Sequence, residues 1–257
     1  MERSRDLRSG TRNPLRSKHH RSSMIMLRYD PRHCLPSAAE LPDSDDTPVD
    51  NELQNLIPNL LEAILAIAWA TRSDWFFGVD MGVYFDPDQP AIVPDGFLSL
   101  GVERFVGEEG RLSYVLWEED GIPPILALEV VSKTYGGEYE RKKAIYAQLG
   151  ILYYVIYVPS RQGRRRKKPL EVYRLVNGTY ELQPDERVWM PELGLAIGRD
   201  RGTYLGRTRE WLYWYDENGD RLPTPEELAI RERQRADQAE QALRELQERL
   251  KQQGFDL

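Results

Sequence analysis

The chain has 257 residues, 40% hydrophobic and 30% charged, with a formal net charge of −7. That length carries one good-sized core with extensions, and the acidic balance excludes a globally basic nucleic-acid binder, so a polyanionic partner must meet a local basic patch. One cysteine, Cys34, excludes an internal disulfide framework and a cysteine zinc finger. A reducing cytoplasm fits. No apolar run reaches the roughly 18 residues of a membrane span, the nearest, Leu60 to Ala70, being interrupted by Glu62.

Residues 1–34 read as a disordered basic extension, or in part as sequence ahead of a true start at Met24 or Met26, with a nucleic-acid-binding arm as the alternative. Residues 1–24 hold six Arg and Lys18 against Glu2 and Asp6, with no apolar segment of the kind a secretory signal needs. Residues 35–221 form the predicted folded domain, entered through a Pro-, Asp- and Ser-rich lead-in, Leu35 to Val49, expected to be exposed. Asp50 is placed to cap a helix whose core face is Leu53, Leu56, Ile57, Leu60, Leu61, Ile64, Leu65 and Ala68. Pro58 should kink it or divide it in two. Glu52 in its first turn is either a third acid for a metal site or a complement to the helix N-terminus.

From Trp75 the period changes to that of strands. Trp75 to Phe85 and Ala91 to Leu100 should pair through Asp86-Pro-Asp-Gln-Pro90, and Arg111 to Trp117 should add a short edge strand. Ile125 to Val131 is apolar on both faces except at Glu129, as a central strand is. A helix over residues 137–149 ends at a Gly150 cap, and Ile151 to Val158 is a buried strand. Strand, helix and strand of these lengths predict a right-handed crossover between parallel strands. The run Arg161 to Lys168, with Arg164, Arg165, Arg166, Lys167 and Lys168, either grips a phosphate backbone or is a solvated loop. Asn177-Gly178 marks a hairpin between Leu170–Val176 and Thr179–Leu182. Val188 to Ile197 and Leu205 to Tyr215 extend the β region, and packing is the favoured role for Trp211, Trp214 and Tyr215 over base stacking. Residues 222–257 hold a charged helix, Glu226 to about Gln252. Its seam of Ala236, Ala239, Leu243, Leu246 and Leu250 suits either a solvated single helix or a coiled-coil homodimer.

The chemistry lies in two carboxylates placed in apolar strands, Asp95 and Glu129. An unpaired buried charge is costly, so such groups are paired, protonated or hold a metal. A hard cation such as Mg²⁺ or Mn²⁺ takes oxygen ligands, which Asp95, Glu129 and the Val130 carbonyl can supply, and a water activated there is a nucleophile for phosphate. On the following helix Glu138, Lys142, Ile145, Tyr146 and Leu149 share a face, which turns Lys142 toward the sheet and leaves Lys143 solvated. Lys133 is the alternative cation.

Pro94-Asp95, Glu129-Val-Val-Ser132, Lys142 with Tyr146 four residues on, Gly150 and Tyr153-Tyr-Val-Ile156 together resemble the Uma2 family of endonucleases, in the restriction-endonuclease-like PD-(D/E)XK superfamily. The resemblance spans roughly residues 38 to 205. It implies an α/β restriction-endonuclease-like core with a mixed central β-sheet flanked by helices, and metal-dependent hydrolysis of DNA phosphodiesters. It also implies Asp95 and Glu129 as metal ligands and Lys142 as the catalytic lysine; Glu138 stands where the family often has Asp, its role open, and Glu52 and Tyr146 are further accessory candidates. Val131 stands where the superfamily's E-x-K lysine is expected, which agrees with a lysine moved to the next helix. A catalytically silent DNA-binding or assembly module, and an unrelated structural protein with Glu129 as a paired core acid, are the alternative readings.

Overall fold

The apolar spacing ahead of residue 70 folds as one 17-residue helix, α1 (Glu52–Ala68), which buries Ile57, Leu60, Leu61, Ile64 and Leu65. The division into two helices does not occur at Pro58. Pro58 lies inside the helix on its buried side, facing a strand at Gly96, where an added Cβ would come within 3.0 Å of the proline. Packing over that close approach offsets the backbone hydrogen bond that proline cannot make. The computed structural model describes residues 35–42, 52–131, 138–159 and 168–253. The basic extension, Asp50, Lys133 and the run from Arg161 to Lys167 lie outside the described residues.

Eight strands follow: β1 (Trp75–Val79), β2 (Val83–Tyr84), β3 (Gly96–Leu100), β4 (Tyr114–Val115), β5 (Leu126–Val130), β6 (Tyr153–Tyr157), β7 (Leu170–Val176) and β8 (Thr179–Leu182). Six of them make the central mixed sheet in the order β1-β3-β5-β6-β7-β8. β5 and β6 are its parallel pair, and the remaining neighbours are antiparallel. β5 is buried along its whole length, as a strand covered on both faces must be. Its Leu126, Leu128 and Val130 join α1 in one core, while Ala127 and Val131 belong to the core on the opposite face, with Tyr146 and Tyr154.

The first hairpin forms as expected: β1 and β3 are antiparallel partners, and Val83 bridges Ile92 antiparallel across the turn at residues 86–90. What differs is β2, which pairs in parallel with β4 in a two-stranded ribbon outside the central sheet. Arg111 to Trp117 therefore does not edge the central sheet. The lead-in is not simply exposed either. Trp117 Nε1 donates to the Pro36 carbonyl at 2.8 Å and the hydroxyl of buried Tyr84 to the Pro42 carbonyl at 2.6 Å, giving the polar ends of a half-buried and a buried ring their acceptors.

The crossover begins as a π-helical turn, Glu138–Lys142, before becoming the α-helix α2 (Lys143–Leu149), rather than running as one α-helix from residue 137. Gly150 caps it at φ 77°. The predicted Asn177-Gly178 hairpin forms, with both residues at positive φ.

Beyond β8 lies a second, three-stranded sheet, β9 (Arg187–Met190), β10 (Leu195–Tyr204) and β11 (Arg207–Tyr215), with β10 in the middle. A turn over residues 191–194 divides what the sequence suggested was one strand. Trp211, Trp214 and Tyr215 are fully buried, so their packing role holds. Trp214 Nε1 donates to the Leu61 carbonyl at 3.0 Å, which fastens β11 to α1. α1 thus sits between the two sheets. The last helix, α3 (Pro225–Gln252), opens with a capping box in which Thr224 Oγ1 accepts from the Glu227 N–H and Glu227 Oε2 from the Thr224 N–H. Pro225 fills its first position.

Gly96 separates Pro58 of α1 from the strand beside Asp95, and a methyl there would also stand 3.3 Å from the Phe77 ring. Gly96→Ala is expected to cost about 1–3 kcal/mol by overpacking, read as a lowered denaturant midpoint with an unchanged m-value.

Candidate active site

The antiparallel register of β3 and β5 pairs Gly96 with Leu128, so the next step along each strand sets Asp95 opposite Glu129. Both carboxylates then face the α2 side of the sheet, as residues two apart on a strand share a face. Asp95 Oδ2 accepts the Val130 N–H at 2.6 Å, taking over from backbone acceptors where the ladder ends. Glu129 is 2% exposed, yet each oxygen has a donor. Lys142 Nζ lies 2.8 Å from Oε2 and the Tyr146 hydroxyl 2.6 Å from Oε1. Lys142 also donates to the Val93 carbonyl at 3.1 Å. The π turn matters here. It delivers the chain to Lys142, from which α-helical spacing sets Tyr146 one turn on along the same face toward β5, and such turns recur at functional sites.

The charges are tightly balanced. Burial and then the charge of Glu129 push Asp95 up to about 8, with Asp80 adding to the push, against the pull of the Val130 N–H and of Lys142. Two carboxylates held this close disfavour each other's ionisation, which is the stress that a divalent cation relieves. Burial, followed by the Glu129 charge, raises the Tyr146 phenol well above its ordinary value, so it stays a donor to Glu129.

The structure therefore brings together Asp95, Glu129, Val130, Lys142 and Tyr146. It places Glu52 elsewhere: that side chain is 61% exposed and ion-paired with Arg207 at 2.5 Å. The α1 side chain that approaches Asp95 is Gln54, whose Nε2 lies 3.5 Å from Oδ1. Among the described residues no three His, Cys, Asp or Glu side chains are grouped to hold a metal, so two acids and main-chain oxygen are the donors available. Glu138 opens the π turn, its side chain outside the described residues. Lys143 is not solvated as expected; its ammonium lies 3.5 Å from the centroid of the Tyr173 ring, and burial lowers its pKa against the pull of Glu171. Of the basic run only Lys168 is described, and it is exposed.

Sequence reasoning missed two contributors. The Val93 carbonyl carries no side-chain signal. Asp80, at φ 50°, donates its N–H to the Asp95 carbonyl at 3.2 Å; the polar break it makes in the strand-like run from Trp75 was the available sign.

A strand-borne acid pair with a lysine on the crossover helix, in a mixed sheet covered by helices, is the layout of a restriction-endonuclease-like protein. The family model for Uma2, described as "putative restriction endonuclease", matches residues 45–202, more than half of the chain. The chain belongs to the Uma2 family. That membership suggests a nuclease, and families of this fold generally use divalent metals. No curated protein matches the chain.

Because the folded value of Asp95 lies above its ordinary 3.8, the folded state keeps a proton there that the unfolded chain gives up. The stability this contributes is full below about pH 4 and is lost as pH rises through about 8. Asp95→Asn, neutral throughout, is expected to melt above the wild type at pH 9, with the gap shrinking toward pH 5, in thermal scans run with chelator. A gap that does not change with pH would mean that the Asp95 charge is not under stress.

Proposed function

We propose that this protein is a metal-dependent DNA endonuclease that hydrolyses phosphodiester bonds at Asp95, Glu129 and Lys142. The observation that supports the reading is the hydrogen bond from Lys142 to Glu129, with Asp95 opposite Glu129 on the adjacent strand, inside the Uma2 family. Asp95, Glu129 and the Val130 carbonyl would hold Mg²⁺ or Mn²⁺; few protein oxygens suit Mg²⁺, which keeps several waters. The cation supplies charge neutralisation at the phosphate and activation of water.

The chain's own residues do the rest. Tyr146 holds Oε1 of Glu129, which leaves Oε2 turned to Lys142. The Lys142 ammonium is held at Glu129 on a side chain that is 25% exposed, and from there it would contact the scissile phosphate or orient the attacking water. The Val93 carbonyl fixes its position from the other side.

Cleavage of plasmid and single-stranded DNA with Mg²⁺ or Mn²⁺ tests this. Glu129→Ala and Lys142→Ala are each expected to lower the rate about a hundredfold or more, with folding confirmed by circular dichroism. Cleavage that survives both changes sinks the assignment. A wild type that binds DNA but never cleaves it would establish a silent nuclease fold.

We also infer a homodimer through α3. Leu243 and Leu246 are 55% and 53% exposed along the Ala236–Ala239 seam. In a parallel pair the seam sets Arg235 of one copy toward Glu240 of the other. Sedimentation should show the wild type as a dimer and the double change Leu243→Glu, Leu246→Glu as a monomer; a wild-type monomer at tens of micromolar would end this reading.

A further inference from the structure

The β10–β11 hairpin changes character along its length. Its inner half, paired on one side with β9 over Leu195–Gly198, supplies buried Trp211, Leu212 and Tyr213 to the core. Its outer half runs on as two strands alone, with Arg201 facing Glu210, Thr203 facing Thr208 and Tyr204 facing Arg207. Between Arg199 and Arg209 stand four arginines against one acid, Asp200, in a chain whose net charge is −7. One face of this ribbon is packed: a Cβ at Gly202 would lie 2.0 Å from the Tyr213 hydroxyl, and Tyr204 meets the Trp211 ring edge-on at 5.6 Å. The other face presents Arg201 and the exposed hydroxyls of Thr203 and Thr208, which are 2.7 Å apart. Arg201 makes no ion pair among the described residues. Arg199 is paired with Glu210, and Arg207 with Glu52.

The tip is unusual. Leu205 and Gly206 turn the hairpin at φ 49° and 74°, the same conformation that Asn177 and Gly178 adopt at 50° and 81°. Such a turn asks for Asn or Gly at its first position, and a bulky residue at positive φ is a true outlier. Leu205 is moreover 64% exposed. Both backbone conformation and hydration disfavour an apolar side chain here, and strain of this sort concentrates at ligand clamps.

The ribbon also stands at the catalytic end of the sheet. Arg207 pairs with Glu52 in the first turn of α1, Arg209 Nη2 donates to the Pro159 carbonyl at 3.1 Å, and the Tyr157 hydroxyl donates to the Glu210 carbonyl at 3.0 Å. Tyr157 is the register partner of Val130, beside Asp95.

We propose that the outer half of the β10–β11 hairpin grips duplex DNA, with Arg201, Thr203 and Thr208 on the phosphate backbone and Leu205 entering the adjoining groove. Arginine and hydroxyl side chains are the usual phosphate contacts, and apolar residues that protrude from a protein surface serve as wedges against base steps. The choice of DNA rests on the nuclease reading above; the surface itself is argued from the ribbon alone.

The test is fluorescence anisotropy of the full chain on a labelled duplex of about 25 base pairs, in chelator and across a salt series, so that binding is read without cleavage. Leu205→Asn gives the turn the residue its backbone prefers, so it should melt at or above the wild-type temperature while binding weakens severalfold. Arg201→Ala should weaken binding and lower the salt slope by about 1, the signature of one lost phosphate contact. Wild-type affinity in both variants overturns the proposal, as does a wild type that binds no duplex or binds single strands equally well. The cleavage assay on Glu129→Ala and Lys142→Ala reports separately on the catalytic reading. A failed active site with an intact hairpin effect, or the reverse, is therefore recognisable.

Discussion

The site depends on one buried carboxylate. Glu129 sits in the middle of the sheet, in a strand whose every residue is buried, where an uncompensated charge would cost several kcal/mol of desolvation, of the order of 3–5 kcal/mol when a partner is lost. Its two donors come from the same helix. Lys142 and Tyr146 must therefore arrive in one fixed phase, and the crossover must connect β5 to β6 at one fixed length and hand. The parallel pair, the π turn and the Gly150 cap all serve the same requirement: to lay α2 across β5 with a cation and a phenol toward the strand.

Asp95 is governed by the opposite logic. It has a backbone donor and a distant amide, but a neighbouring negative charge, and its ionisation is resisted rather than supported. Two carboxylates on adjacent strands thus differ sharply. Glu129 has its charge matched within the chain; Asp95 does not. An arrangement of this kind stores an affinity for positive charge at the sheet end, and the Gly96–Pro58 contact keeps α1 close enough for the site to be walled on that side.

Much of this was legible in the residues. The uninterrupted apolar runs of β5 and β6 announced central strands, and a lone Glu in the first of them announced either a partner or a metal. Lys142 could be placed because a helical face is set by residue spacing. What escaped had no side-chain pattern to betray it. The Val93 carbonyl is main chain, and the π turn adds a residue that α-helical counting does not anticipate. Pro58 stayed inside a helix because tertiary packing against a glycine outweighed a local preference. The hairpin of β10 and β11 escaped because its turn carries Leu205 where turn chemistry predicts Asn or Gly, which made a β-turn read as the start of a strand. Glu52 looked like a third acid by position along the chain, yet it lies on the exposed side of α1, in the reach of Arg207.

The family likeness ends at Gly202, partway along β10, but the cooperative unit does not. Trp211, Trp214 and Tyr215 lie beyond that point, wholly enclosed, and Trp214 is bonded to the middle of α1. A fragment cut to the shared region would keep both acids and the lysine yet strip one wall from the helix that braces them. Inheritance and folding thus draw different boundaries on this chain: the portion that carries the family likeness is held in shape by residues outside it.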